Sequence, residues 1–320
     1  MTKALDALIA SQLKAANSIT ILSHIRPDGD AIGSLLGLAQ GLRLLGKTVQ
    51  CVLQDGAAEK YAHLPGSDLV RTEILEPFDY LIVVDCSDPQ RVGQPLYGQP
   101  MPDLVIDHHK THVNFGKIDY VEGEAEATAL ILAEHMPAWG LPIDDGVASA
   151  LLTGIVADTL GFRTANTTPR VLRVSADLME KGADLALNYH QALLTRRVPD
   201  LCYWGKALNR LQIEDGLLWT SLTVNDKMTC EYAENDDADL INVLSSVADA
   251  LVAMIFVEQV GGTTKVSWRS VEGIDVSNIA FEFGGGGHAA AAGADIPGKI
   301  DDVMERVLKA TRAMLTRVEI

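Results

Sequence analysis

Basic residues are in short supply. Only 26 lysines and arginines stand against 43 aspartates and glutamates in 320 residues, a formal net charge of −17. Binding along a nucleic-acid backbone needs basic surface, so the composition argues against long nucleic acid as a partner. A phosphate compound taken as substrate should be small and met by a few local cations, and some of the carboxylates suit neutralisation by metal. Cysteine is scarce too. Cys51, Cys86, Cys202 and Cys230 are scattered, with neither metal-knuckle nor disulfide-framework spacing, so the expectation is a reducing cytoplasm. No run approaches the roughly 18 apolar residues that span a membrane. The first residues carry a short polar-flanked helix pattern instead of a charged segment and apolar signal core. No internal repeat or low-complexity tract is present.

What remains describes a globular chain. Forty-eight per cent of its residues are hydrophobic, and 320 residues exceed one ordinary core, which points to two domains. The first half alternates expected helices at 3–16, 31–45, 125–136 and 144–157 with short apolar strands at 19–23, 48–53, 79–84 and 104–106. That alternation predicts an α/β class with a mostly parallel, doubly wound sheet and helices on both faces. Thr168-Pro169 predicts an N-cap and first helical residue, and Lys181-Gly182 the end of that helix. The expected division is a first domain at 1–185, a linker at 186–200 and a smaller α/β domain at 201–320. The second should hold helices at 201–212, 275–282 and 298–317 and strands at 217–224, 251–259 and 263–269.

Chemistry-bearing side chains gather at the predicted strand ends. In SHIRPDGDAIGS, from Ser23 to Ser34, a β-branched strand runs into a turn carrying His24, Asp28 and Asp30. Asp85 ends DYLIVVD, Asp107-His108-His109 end LVIDHH, and Asp158 ends a helical run in GIVADTLGFRT. Each aspartate alone could cap a helix, and each histidine alone could be a satisfied core residue. Together they place an acid or imidazole just past several apolar strands, where open α/β sheets bind ligands. Imidazole with carboxylates suits a divalent ion such as Mn²⁺. Four such clusters supply enough ligands for a two-metal site with a bridging carboxylate.

The order H-x-x-x-D-x-D, Asp85, Asp107-His108-His109, Asp158 resembles the DHH phosphoesterase superfamily, and Gly284-Gly285-Gly286-Gly287-His288 resembles its associated C-terminal domain. The likeness spans residues 18–293 and is strongest to the short two-domain NrnA-type branch. It implies an active site in the inter-domain cleft and a pair of Mn²⁺ ions. His24 and Asp28 would hold one, Asp30, His108 and Asp158 the other, and Asp85 would bridge them. His109 would face the scissile phosphate, and Asp107 would orient its neighbours. The implied activity is hydrolysis of short oligoribonucleotides and of 3′-phosphoadenosine 5′-phosphate (pAp). Cleavage of linear or cyclic dinucleotides, pyrophosphatase or exopolyphosphatase action, and nucleotide sensing are the alternatives. Substrate contacts are expected from Arg163 and, in the second domain, from Ser267 and Arg269 with Trp268 between them, and from Gly285, Gly286, Gly287 and His288. A glycine run lets backbone N–H groups approach an anion. Leu130, Leu160 and Ala289 depart from the family pattern without touching an expected ligand. Short oligonucleotides and phosphorylated nucleotides are thus the expected partners, with no membrane partner and a homodimer left open.

Overall fold

The computed structural model describes residues 2–316. Residues 1 and 317–320, which the expected domain and helix boundaries include, lie outside the described residues. The chain forms two compact units, up to Thr195 and from Arg196 onward.

The first unit runs α1 (Thr2–Ala15), β1 (Ser18–Leu22), α2 (Gly29–Leu44), β2 (Thr48–Val52), β3 (Tyr80–Val84), α3 (Pro89–Val92), β4 (Leu104–Asp107), β5 (Ile118–Val121), α4 (Thr128–His135), α5 (Asp145–Asp158), α6 (Pro169–Glu180) and α7 (Leu185–Tyr189). All five strands are parallel, in the order β2-β1-β3-β4-β5. Strand alternation divides the apolar residues between the two faces. Ile19, Ile21, Ile82, Val84, Leu104 and Ile106 join a large core with α2, α4 and α5. Leu22, Leu81, Val83 and Val105 meet a smaller one containing Val92 of α3. The stretch 185–194 continues α7 into a π-helical turn, His190–Leu194, and buries Ala192 in the first unit's core.

Helices α2 and α5 are apolar almost all round, the pattern of helices enclosed by a core. They approach at backbone contact because glycines recur every fourth residue along α2. A Cβ on Gly33 would lie 2.4 Å from the Ala150 carbonyl oxygen, and one on Gly37 2.7 Å from Leu151. Thr168 does hold the N-cap position of α6, but its hydroxyl donates to buried Glu126 instead of to the helix.

The second unit runs α8 (Val198–Leu208), β6 (Gln212–Glu214), β7 (Leu217–Leu222), α9 (Val224–Thr229), α10 (Leu240–Leu244), β8 (Val252–Glu258), β9 (Thr263–Ser270), α11 (Ser277–Glu282), β10 (Gly286–His288), β11 (Ala291–Pro297) and α12 (Ile300–Leu315). Its mixed sheet is ordered β10-β11-β9-β8-β7-β6, with only β7 and β8 parallel. Met254, Phe256, Val266 and Trp268 pack with α12 on one face, whereas Ala253, Ile255 and Val257 pack with α8 and α10 on the other.

Two expectations are corrected here. Cys202 of α8 and Cys230 after α9 form a disulfide with Cα atoms 5.6 Å apart. Their separation of 28 residues carries no spacing signature, and only the fold brings them together. A disulfide removes the cysteine-based argument for a reducing compartment. Trp268 is wholly buried, its Nε1 donating to Thr311 of α12 at 3.3 Å, so it offers no ring to a ligand. Among the described residues no helix is long and apolar enough to cross a membrane.

Candidate active site

The site of the first unit is built where β1, β3 and β4 end. His24 follows β1 and is buried. Its Nδ1 donates to the Ile25 carbonyl at 2.9 Å, which leaves Nε2 toward Asp28 at 3.8 Å and Asp85 at 3.5 Å. Asp28 caps α2, accepting the Asp30 and Ala31 N–H groups at 3.0 and 3.1 Å through Oδ1. Asp30, in the first turn of α2, caps a different helix. The first N–H groups of α4, at Thr128 and Ala129, donate to its two carboxylate oxygens at 2.6 and 3.0 Å. The N-cap residue of α4 is Ala127, which has no side chain able to do this. Ser34 adds a hydroxyl donor at 3.1 Å.

Asp85 lies between two groups of ligands. Directly after β3 its backbone turns left-handed, at φ 53°, a conformation that costs most residues about 1–2 kcal/mol and that aspartate tolerates better. Its Oδ2 faces His24 Nε2 at 3.5 Å and its Oδ1 faces His108 Nε2 at 3.7 Å. Thr128 donates to that Oδ1 at 3.0 Å. His108 gives Nδ1 to the Ala125 carbonyl at 3.2 Å, and its Nε2 meets Asp158 at 3.6 Å and Asp30 at 4.0 Å. Both imidazoles therefore have their tautomer set by a carbonyl, the usual arrangement behind metal-binding histidines. Gly154 lets Asp30 approach α5, since a Cβ there would sit 2.8 Å from Asp30 Oδ1.

Three sets could each hold a cation: His24, Asp28 and Asp85; Asp30, His108 and Asp158; and Asp85, His108 and His109. The charges are poised for one. Burial opposes protonation of His24, but hydrogen bonding to Asp28 and Asp85 outweighs it and raises the ring to about 10. His108 rises to about 9 against its own burial, through Asp158, Asp85 and Asp30. Burial, then the charges of Asp85 and Asp158, push the Asp30 carboxyl well above its ordinary range. Enclosure likewise lifts Asp158 to about 6, with His108 opposing. A carboxylate–imidazole cluster of this kind releases protons when it takes up a metal. The donors are oxygen and imidazole only, which fits a Mn²⁺-like ion better than a thiolate-seeking one.

Asp107, wholly buried at the end of β4, accepts from His109 Nδ1 and His112 Nδ1, both at 2.7 Å. Those bonds hold its carboxyl well below the ordinary range despite burial. Arg163 is exposed on the turn after α5. A fourth acidic group, Glu122, Glu134 and His135, already contains Arg170 paired with both glutamates, so it is an ion-pair network.

In the second unit the sheet registers the remaining expected residues. Arg269 pairs with Ala291, which pairs with His288, and Ser267 pairs with Gly293, which pairs with Gly286. Directly paired residues share a face, so Arg269 and His288 stand in one row, two strand spacings or about 10 Å apart. Only a methyl group and a hydrogen, from Ala291 and Gly293, stand between the two outer strands. The glycines do different work. A Cβ on Gly285 would meet the Gly293 carbonyl at 2.0 Å, and Gly287, at φ 140°, would meet the Ala291 carbonyl at 2.5 Å. Gly286 has open space where a Cβ would be.

Sequence reasoning passed over His112, Asp119, Thr128, Ser34 and the four-residue glycine repeat of α2. The repeat, Gly29, Gly33, Gly37 and Gly41, was the one plain signal among them.

Residues 18–155 match the DHH family, N-terminal domain, and residues 227–316 match the DHHA1 domain. Over 314 residues the chain is 37% identical to the bifunctional oligoribonuclease and PAP phosphatase NrnA of Thermus thermophilus, covering 97% of this chain and 94% of that protein. The chain belongs to the DHH family. Among solved structures, an exopolyphosphatase-related protein from Bacteroides fragilis superposes with a TM-score of 0.85 at 24% identity, covering 98% of this DHH protein and 96% of that chain. The exonuclease RecJ bound to manganese superposes with a TM-score of 0.51 at 16% identity, covering 98% and 96% of the two chains. Both carry the same fold.

Proposed function

We propose that this DHH protein is a two-metal phosphoesterase that hydrolyses short oligoribonucleotides to mononucleotides and removes phosphate from pAp. The observation that carries this reading is Asp85, whose two carboxylate oxygens face two separate histidine–aspartate groups. His24, Asp28 and Asp85 would hold one divalent ion and Asp30, His108, Asp158 and Asp85 the other, with manganese the ion of choice for imidazole and carboxylate donors. Bound there, the ions supply charge neutralisation for phosphate oxygens and acidify a water molecule for attack.

The chain's own groups do the rest. His109, fixed through Nδ1 by Asp107, donates to a phosphate oxygen as negative charge builds on it. Arg269, Ser267 and His288 bind a phosphate remote from the one cleaved, and Gly286 admits it without a side chain in the way. Similarity to NrnA over nearly the whole of both chains supports oligoribonucleotides and pAp as substrates.

The deciding experiment measures phosphate or mononucleotide release with Mn²⁺ from pAp, a dinucleotide, a 5-mer, a long RNA and pyrophosphate. Turnover of pAp and the short oligonucleotides, with long RNA untouched, is the expected result. Turnover confined to dinucleotides would favour a dinucleotide phosphodiesterase, and turnover confined to pyrophosphate would overturn the reading.

A further inference from the structure

His112 occupies an unusual position for a histidine near a reactive centre. It follows the turn after β4, its side chain only 4% exposed. Nδ1 lies 2.7 Å from Asp107 Oδ2, and Nε2 lies 3.1 Å from Asp119 Oδ1. Ionised carboxylates only accept hydrogen bonds, so a neutral ring would aim one lone pair at an anion. The ring therefore carries protons on both nitrogens, and the two carboxylates raise its pKa against partial burial. Asp119, on β5, is itself anchored, accepting the N–H groups of Phe115 and Gly116 at 3.2 and 3.1 Å. The Phe115 ring stacks on His112 at 5.6 Å between centroids. Asp107 thus has one oxygen on His112 and the other on His109.

We propose that His112, braced by Asp119, is a positioning residue that fixes the Asp107 carboxylate and through it the orientation of His109. This role rests on the phosphoesterase reading above. Without His112, Asp107 could rotate about its last side-chain bond and present either oxygen, or neither, to His109. Partners one step behind an active-site group commonly matter by about 10- to 100-fold in activity.

The test is a double-mutant cycle on pAp with saturating Mn²⁺, using His112→Asn and Asp119→Asn, each alone and combined with His109→Ala. Each single variant should lose about 10- to 100-fold in kcat with KM nearly unchanged. Neither should lose anything further once His109 is gone, because the effect passes through that ring. Losses that multiply in the His109→Ala background, or single variants with the wild-type kcat, overturn the proposal. Should His112→Asn fail to fold, Asp119→Asn carries the cycle. Nitrogen-15 spectra of histidine-labelled wild-type protein near pH 7 add an independent check, and a His112 ring with one unprotonated nitrogen also overturns the proposal. A wild-type protein inactive on every phosphoester would overturn the phosphoesterase reading and this role with it, whereas an active wild type with a His109→Ala variant at full rate would overturn this role alone, so these controls separate the two failures.

Discussion

At the scale of single residues, the site gathers carboxylates that repel one another. Asp30, Asp85 and Asp158 meet around His108, and the pKa values of Asp30 and Asp158 rise chiefly because burial disfavours the charged form, with repulsion from neighbouring carboxylates adding to it. Asp85→Asn probes this balance of charge, since asparagine keeps the size and tolerates the left-handed backbone. Without metal the variant should melt lower than the wild type, because Asp85 is the buried carboxylate that faces both protonated imidazoles, His24 and His108. It should lose at least about 10²-fold in kcat, the scale of removing a single group that stabilises transition-state charge. Circular dichroism with steady-state kinetics checks both halves, and a variant with wild-type kcat would mean that Asp85 joins no metals. Arg269 has a different signature. A hydrogen bond to a charged group contributes about 1.5–3 kcal/mol, so Arg269→Ala should raise KM for pAp by about 10- to 150-fold. A model ester with no second phosphate should be nearly indifferent to the change, and equal losses on both would remove Arg269 from recognition. The proposed ligands were legible because His24, Asp85 and His108 stand one or two residues beyond an apolar strand, Asp28 and Asp30 flank the start of α2, and Asp158 ends α5. Trp268 was misjudged because burial of a strand residue depends on which face its neighbours cover, and Met254 and α12 decide that.

At the scale of elements, the α2–α5 contact places Asp30 beside Asp158. Gly33→Ala weighs two effects of opposite sign. Alanine favours a helix over glycine by about 1 kcal/mol, but its Cβ would fall 2.4 Å from a backbone oxygen of α5 and 2.8 Å from the Gly154 nitrogen. Backbone cannot move aside as a flexible side chain can, and overpacking costs about 1–3 kcal/mol. The clash wins. The variant should melt several degrees lower, at roughly 2–4 °C per kcal/mol for a unit of this size, and it should lose activity as Asp30 shifts. A melting point at or above that of the wild type would show that the helices part freely. Strands β1, β3 and β4 were readable from their β-branched, unbroken apolar runs. Strands β10 and β11 were not, because Gly-Gly-His and Ala-Ala-Gly-Ala-Asp-Ile-Pro have poor intrinsic strand preference. Pairing with β9 makes them strands, and that is information from outside the segment. Strand β5 escaped for a related reason, being four residues long at the sheet edge with only Tyr120 buried.

At the scale of the whole chain, the proposed metal cluster of the first unit and the disulfide of the second are two stabilising devices, and only the former was visible beforehand. Metal ligands reveal themselves through residue type and position. A disulfide between Cys202 and Cys230 does not, because 28 residues of separation fit no pattern until α8 and α9 are packed together. The two devices should respond to different reagents. Mn²⁺ bound at the proposed site of the folded protein should stabilise by mass action, about 2.7 kcal/mol at a hundred times its Kd. Closing a loop of this length is expected to stabilise by roughly 3–4 kcal/mol through the unfolded chain. Hydrogen exchange followed by mass spectrometry can assign each effect to its residues. Adding Mn²⁺ to chelator-stripped protein should slow exchange in the first unit, most of all around 22–34, 80–86, 104–112 and 125–158. Adding a dithiol reductant should instead speed exchange in the second unit, centred on α8, α9 and α10, and Cys202→Ser should reproduce that pattern without reductant. Magnesium should protect the first unit less than manganese at equal concentration, because imidazole ligands favour the transition ion. If Mn²⁺ leaves the first unit's exchange unchanged at millimolar concentration, the carboxylate–imidazole cluster is not a metal site, and the two-metal chemistry fails with it.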